Sequence, residues 1–551
     1  MAAPRTDPDM NTSHTLASLF PTAEEIPTEH RLESQIHQRC YVMDGRSIDW
    51  SGPVRTVRSP ICVRTASGDV AQVELGSHPI MGEPESDAVL HAAYEAYDSG
   101  RGKWPTMPVA GRIACMQDFV RQIARQRDLV VKLIMWEIGK SLQDARKEFD
   151  RTVEYIQGTI AALKALDNSS SRFLSVEGTI GQVRRTPLGV VLCMGPYNYP
   201  LNETFCTLVP ALLMGNTVVL KPPQYGTLLY WPLLEAFRTA FPKGVVNTIY
   251  APGEVVVPRM LASGKVSVLA LIGSSRVADH LKKQHPKSHR LRAVLGLDAK
   301  NAGIVLPDAD MELAVKECVL GALSFNGQRC TALKMLAVHR SVAEEFVRRL
   351  GEEVAKLKLG MPWTEAVAIT PLPGLHRTSH MTDLINDALA KGARVVNAHG
   401  GLHDATLFRP AIVYPVKEGM RLYREEQFGP IIPVMVYDEV QEVLDYVITS
   451  EHGQQVSIFG SDPAEIGALV DPLVNQVCRV NINSQCQRGP DVFPFAGRKD
   501  SAEGTLSVAD ALRAFSIRSM VATKETESSK QLLNTIVRDH HSNFINTGFI
   551  L

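Results

Sequence analysis

The sequence predicts an α/β protein of more than one domain, built on parallel sheets covered by helices on both faces. Three observations carry this. The 551 residues are too many for one hydrophobic core. From Gly189 onward, short apolar runs at 190–194, 217–220, 246–250 and 266–272 alternate with segments long enough for helices, the pattern of βαβ units. The pattern then starts again after Asn301, with a strand at 303–306, a helix at 310–323 and a strand at 334–339, so a second α/β domain begins there.

The remaining elements follow in chain order. Residues 1–40 hold Pro4, Pro8, Pro21 and Pro27 among Ser, Thr and Glu without a sustained period, and are expected to form a loosely ordered N-terminal arm. Between 109 and 147, Ile113, Met116, Phe119, Val120, Ile123, Leu129, Leu133 and Met135 recur at helical spacing between charges, which predicts two amphipathic helices. The stretch 475–483 is again strand-like. The polar segment after Thr523 closes on Leu532, Leu533, Ile536 and Val537 and an apolar end at 549–551, either a short helix docking on a neighbouring subunit or a frayed terminus. No internal repeat is visible.

Composition narrows the function classes. The 58 basic and 59 acidic side chains nearly cancel, which gives no basis for a nucleic-acid partner. No apolar run reaches the roughly 20 residues that span a bilayer, and residues 1–20 lack the apolar core and small-residue cleavage site of a secretory signal. The expectation is a cytoplasmic protein without a membrane partner. The nine cysteines are scattered, odd in number and without a C-x-x-C pair, so neither a disulfide framework nor a zinc ribbon is expected. His285 with His289 and His376 with His380 have helical chelating spacing, but neither pair has the accompanying glutamate and Pro286 interrupts the first, so no metal site is expected.

Two segments are candidates for chemistry. Cys330 stands in Phe325-Asn326-Gly327-Gln328-Arg329-Cys330-Thr331, after a predicted helix, where Gly327 lets backbone approach closely and the neighbouring Arg329 favours the thiolate. Asn198 stands in Gly195-Pro196-Tyr197-Asn198-Tyr199-Pro200, where the prolines can fix an amide donor suited to an oxyanion; alone, the segment also reads as a proline-rich turn whose asparagine caps a helix.

These segments, together with Asn216-Thr217-Val218-Val219-Leu220-Lys221-Pro222, Gly273-Ser274 and Glu426-Gln427-Phe428-Gly429-Pro430, make the chain resemble the aldehyde dehydrogenase superfamily over about 41–524. Within it, Gln328-Arg329-Cys330-Thr331-Ala332, Gln487-Arg488-Gly489-Pro490-Asp491 and Phe493-Pro494-Phe495 are similar to the non-phosphorylating glyceraldehyde-3-phosphate dehydrogenases.

The resemblance implies an architecture: a Rossmann-type cofactor domain from 41–168 and 188–298, a catalytic α/β domain from 299–495, a small β oligomerisation arm from 169–187 and 496–525, and a tail from 526–551. It also implies a homodimer or homotetramer paired through that arm.

Roles follow from the same resemblance. Cys330 would attack the aldehyde, with the oxyanion held by Asn198 and the Cys330 backbone N–H, giving a thioester. Lys221 would reach the adenosine ribose, Gly273 and Ser274 would bring a helix N-terminus to the pyrophosphate, and Glu426 and Phe428 would hold the nicotinamide ribose and ring. Gln224 stands where NAD-preferring relatives tend to carry a glutamate, so NADP is the expected cofactor, with NAD possible. Tyr199, Arg329, Arg488 and Arg151 would contact the phosphate of a small phosphorylated aldehyde.

One motif departs from the family. Where relatives carry Glu-Leu-Gly-Gly-Lys, this chain reads Leu295-Gly296-Leu297-Asp298-Ala299-Lys300-Asn301, which puts Gly296 in place of the glutamate that activates water. A glycine cannot take a proton. Asp298, Glu426 or a water chain would then replace it, or coenzyme A would accept the acyl group, or turnover would be slow; a catalytically silent scaffold is the reading outside enzymology. The resemblance favours hydrolysis, to 3-phosphoglycerate when D-glyceraldehyde 3-phosphate is the substrate.

Overall fold

The computed structural model describes residues 16–550. Its centre is a sheet whose parallel strands lie side by side as Val246–Thr248, Thr217–Lys221, Val190–Met194, Val266–Ile272 and Arg292–Gly296. The order makes Val190–Met194 and Val266–Ile272 neighbours at the point where the winding reverses, which opens a crevice at the carboxyl ends of the strands. The strands are apolar because helices cover both faces: Val190, Val191, Leu192 and Cys193 are each at most 1% exposed. Burial of each such side chain contributes roughly 1.5–3 kcal/mol.

The second sheet has seven strands, ordered Arg394–Val395, Ala411–Tyr414, Ile431–Tyr437, Leu333–His339, Asn301–Val305, Gln455–Phe459 and Arg479–Ile482. All are parallel except the first pair. Helix Met311–Leu323 begins at Asp310, whose side chain accepts the Leu313 N–H. Thus 190–194 and 266–272 are strands with the expected bounds, and the other expected strands differ by a few residues at their ends. The region 109–147 forms helices Val109–Ala124 and Arg127–Ile138, followed by the long helix Leu142–Ser169.

Three expectations need correction. Pro4, Pro8 and Leu551 lie outside the described residues, but from Leu16 the N-terminal segment is packed rather than loose. Leu16 and Phe20 are wholly buried, the Phe20 carbonyl accepts Arg64 Nε at 2.6 Å, and the His30 carbonyl accepts Trp136 Nε1 at 2.7 Å. Sparse apolar residues in a polar stretch carry no period, yet each finds a place in a core built elsewhere.

The antiparallel arm, Leu174–Val176, Thr179–Pro187 and Ser516–Lys524, is narrower than expected at its second segment. Ala502–Glu503 joins the edge of the central sheet beside Arg292–Gly296, and helix Val508–Ala514 packs on helices Leu142–Ser169 and Asn202–Leu213.

The tail forms helix Glu527–Arg538 with none of its residues buried. The chain then folds back on its own body. Asn168 exchanges two hydrogen bonds with Ile550, at 2.8 and 2.9 Å, and Arg184 and Gln182 hold the Asn546 carbonyl. No helix among the described residues is long and apolar enough to cross a membrane.

Candidate active site

A single cleft of about 1530 Å³ runs from the carboxyl ends of the central strands to the second domain. All twelve residues singled out from the sequence line it, from Lys221 and Gln224 at one end, past Asn198 and Cys330, to Arg151 and Arg488 at the other.

The turn that presents Cys330 is left-handed over three residues, with φ of 48° at Phe325, 56° at Asn326 and 70° at Gly327. Glycine is required at the third. A Cβ there would stand 2.6 Å from the Gly429 carbonyl oxygen and 2.8 Å from that of Ala322. Asn326, wholly buried, locks the turn by donating to the Thr370 carbonyl at 3.0 Å while its side-chain oxygen accepts the Thr370 N–H at 3.0 Å. Asn301 fixes the far side, its Nδ2 donating to the carbonyls of Cys330 at 2.7 Å and Ala332 at 3.0 Å.

The Asn198 amide is held beside this turn by donating to the Gln328 carbonyl at 2.8 Å, which leaves a second N–H on the same nitrogen. Its backbone is fixed from below. Lys140, wholly buried, donates to the Asn198 carbonyl at 2.8 Å and to Glu148 at 2.5 Å, and Glu148 accepts the N–H groups of Leu201 and Asn202 at 3.0 and 3.1 Å. The same ammonium lies 3.5 Å from the centre of the Tyr199 ring, a cation–π contact in a dry setting. Sequence reasoning missed this pair, because Lys140 lies between two helices and Glu148 in a stretch rich in charges, where nothing in the sequence sets either apart.

Arg329 does not act as expected. Its guanidinium turns back to the carbonyls of Leu320 and Gly321, at 3.4 and 2.9 Å, and to Gln485 at 3.4 Å. These acceptors close the end of helix Met311–Leu323 and draw the cation away from the thiol. Burial pushes the Cys330 thiol up, and the Glu203 carboxylate pushes it further, while Lys334, the Gln454 amide and Arg488 oppose them.

At the end of the cleft lined by Arg151 and Arg488 the arginines are already paired. Arg488, buried, forms an ion pair with Glu203, has Asp491 at 3.4 Å and lies 4.7 Å over the Phe495 ring; Arg151 donates to Asp491 at 3.0 Å. Glu203 was not singled out by the sequence reading. It follows the Asn198 motif at the second position of helix Asn202–Leu213, and a charged residue in so apolar a helix is the local signal that marks it.

At the other end of the cleft the wall carries Lys221, Gln224, Gly253, Gly273 and Ser274. A Cβ on Gly253 would be in ordinary contact with Lys221 Cε at 3.5 Å. Lys221 emerges from its strand half-buried, and burial pulls its pKa down to about 8. Gln224 is exposed at the lip. Ser274 precedes helix Ser275–Lys282 with its hydroxyl not engaged in a cap. The first N–H of that helix is taken, because Asp298 accepts the Ser275 N–H and hydroxyl, both at 2.8 Å.

Both candidate bases named from the sequence are therefore committed. Asp298 serves the helix terminus, and Glu426 is ion-paired with the buried Lys334 and accepts the Ala299 N–H at 3.2 Å. Phe428 packs edge-on to Tyr197 with ring centres 5.9 Å apart. Gly296 ends its strand on the cavity wall and supplies no proton acceptor. Among the described residues no three His, Cys, Asp or Glu side chains are grouped to hold a metal, and the paired His380 lies 3.6 Å from Glu425.

The model of the aldehyde dehydrogenase family matches residues 68–521. The chain belongs to that family. It is 33% identical over 464 residues to the NADP-dependent glyceraldehyde-3-phosphate dehydrogenase of Streptococcus equinus, covering 82% of this chain and 93% of that protein. The enzyme of the same description from Pisum sativum is 29% identical, with 78% and 86% covered. Among solved structures, the NADP complex of the NADP-dependent glyceraldehyde-3-phosphate dehydrogenase from Bacillus halodurans C-125 superposes with a TM-score of 0.81 at 28% identity, over 89% of this chain and 100% of that one. As an aldehyde dehydrogenase, the protein has the α/β architecture expected from its strand pattern.

Proposed function

We propose that this aldehyde dehydrogenase oxidises D-glyceraldehyde 3-phosphate to 3-phosphoglycerate with NADP, through a thioester on Cys330. The observation that carries the reading is the single cleft that joins Cys330 and Asn198 to a groove with Lys221 and Gln224 at one end and to Arg151, Tyr199, Arg329 and Arg488 at the other. The named activity of the relatives in Streptococcus equinus and Pisum sativum supports the same substrate and cofactor.

In this reading Cys330 attacks the carbonyl carbon, and the free N–H of Asn198 with the Cys330 backbone N–H holds the oxyanion. NADP in the groove would supply the hydride acceptor for this oxidation. Lys221 and Gln224 hold the adenosine ribose and its phosphate, where a neutral amide avoids the repulsion a carboxylate would impose. Gly273 and Ser274 line the pyrophosphate, with Asp298 taking the neighbouring helix N–H. Glu426, oriented by Lys334, and Phe428 position the nicotinamide ribose and ring. Arg488 and Arg151, with Tyr199 and the Arg329 donors not taken by the helix end, read the substrate phosphate. The arm Thr179–Pro187 with Ser516–Lys524 supplies the edge through which a homodimer or homotetramer would assemble, and exposed Ile517 and Met520 on it suit such a contact.

The deciding experiment follows NADP reduction by the purified protein with glyceraldehyde 3-phosphate in the absence of inorganic phosphate and coenzyme A, comparing the first turnover with the steady state. Sustained turnover is expected. A single burst followed by a stall that coenzyme A relieves would reassign the acyl acceptor, which Gly296 makes the second reading. No burst would remove the substrate assignment.

A further inference from the structure

Hydrolysis of a Cys330 thioester needs a group that takes a proton from water, and the residue that ends strand Arg292–Gly296 cannot do so. Of the other carboxylates on the cavity wall, Asp298 is bound to Ser275 and Glu426 to Lys334, Glu425 is held by Arg421 at 2.8 and 2.9 Å, Glu254 acts on Lys221 at the far end of the cleft, and Glu451 is exposed. Glu203 is different in three respects. It is buried, it lines the same cavity as Cys330, close enough for its charge to raise the thiol pKa, and its one ion-pair partner among the described residues is Arg488, the cation assigned above to the substrate.

We propose that Glu203 is the general base that hydrolyses the Cys330 thioester, and that the anionic group of the substrate releases it for this task by taking Arg488. The inference rests on the reading of Arg488 given under the proposed function. A phosphate on the guanidinium shares or displaces the donors that hold Glu203, leaving a carboxylate with little solvent and a weaker counter-charge, conditions that raise its basicity. Asp491 and the Leu506 carbonyl, at 3.4 and 3.3 Å, keep Arg488 in place during the exchange.

The chemistry balances without another reactant. Glu203 takes one proton from water as the water oxygen bonds to the acyl carbon. The carbon–sulfur bond then breaks, Cys330 leaves as thiolate, and the carboxylic acid ionises. Glu203 passes its proton to solvent through the open cleft.

Glu203→Gln keeps a carbonyl oxygen for Arg488 but cannot take a proton. The expected result with glyceraldehyde 3-phosphate and NADP is a full first-turnover burst, which also establishes that the variant is folded. A steady state about 10²–10⁴-fold lower should follow, with the acyl group trapped on Cys330 as a mass increase of the intact protein and removed by hydroxylamine. Wild-type hydrolysis in the variant, or loss of the burst, would overturn the proposal.

A second arm needs neither aldehyde nor cofactor. Cys330 is acylated with p-nitrophenyl acetate, and deacylation is followed with and without inorganic phosphate. Phosphate should accelerate wild-type deacylation and leave Glu203→Gln unchanged, whereas equal responses would overturn the release mechanism. Because this arm uses no aldehyde, failure of the substrate assignment alone does not alter its outcome.

Discussion

Glu203 and Arg488 are paired by charge inside the cleft that presents Cys330, with Asp491 on the other side of the same guanidinium. Under the proposed function, an incoming phosphate exchanges with carboxylates already present instead of meeting a bare cation. Charge-assisted hydrogen bonds of this kind contribute roughly 1.5–3 kcal/mol. Arg488→Ala is accordingly expected to raise KM for glyceraldehyde 3-phosphate by about 10–100-fold, and to change KM for unphosphorylated glyceraldehyde little. Equal increases for both aldehydes would mean that Arg488 acts by holding Glu203 and does not read the phosphate.

The thiol itself offers a pH test. Burial and Glu203 both raise the Cys330 pKa, so the thiolate fraction is still growing at alkaline pH, where an exposed cysteine has nearly levelled off. Glu203→Gln removes a negative charge, which favours the thiolate and lowers that pKa. The rate of iodoacetamide alkylation at Cys330, measured against pH by mass spectrometry, should therefore rise at lower pH in the variant. An unshifted or upward-shifted profile would contradict the electrostatic link between the two residues.

Lys140 predicts a combined loss of stability and activity. Lys140→Met strands the Glu148 carboxylate in a dry interior and frees the Asn198 carbonyl. Breaking one partner of a buried pair costs about 3–5 kcal/mol, so calorimetry should record a clearly lower Tm, and the burst rate should fall because Asn198 is no longer fixed. Lys140→Met with Glu148→Gln should recover part of the Tm. If the double variant is less stable than the single one, the stranded charge is not the cause.

At the cofactor end, Gln224→Glu places a carboxylate beside the expected 2′-phosphate, which carries about two negative charges. The ratio of kcat/KM for NADP over NAD should fall by at least about tenfold, a difference of roughly 1.4 kcal/mol. An unchanged ratio would move phosphate recognition away from position 224.

What the sequence made legible, and what it hid, divides along physical lines. The strands Val190–Met194 and Val266–Ile272 are readable because a central parallel strand must be apolar along its whole length. Cys330 and Asn198 are readable because their turns require particular residues, as the left-handed Gly327 confirms. The ion pairs were not readable. Lys334 and Glu426 are 92 residues apart and owe their pairing to the tertiary fold, and Glu203 gains its meaning only from Arg488 in a distant loop. Arg329 carries the opposite lesson, since adjacency in sequence suggested a partner for the thiol while the helix end competed for the guanidinium. The burial of Leu16 and Phe20 was likewise invisible, because two apolar side chains in a polar segment define no period.

Gly296 allows the missing base to be restored. Its backbone is not in the left-handed region, and a Cβ would meet Ile272 Cγ1 and Leu506 Cδ1 at 3.5 Å each, which is ordinary contact. The residue lies on the cavity wall, so a glutamate side chain has room to extend toward Cys330. Gly296→Glu should therefore fold, retain the burst and raise steady-state hydrolysis wherever deacylation limits turnover. The gain should be larger in the Glu203→Gln background, where no other base remains, and could approach the 10²–10⁴-fold typical of general-base catalysis. Rapid-quench measurement of burst and steady state in the four combinations separates the roles. Rescue confined to the double variant would mean that Glu203 already suffices in the wild type. Absence of rescue with an intact burst would mean that a carboxylate at 296 does not reach the thioester, and that Gly296 marks a reshaped site in which deacylation proceeds from the Arg488 side.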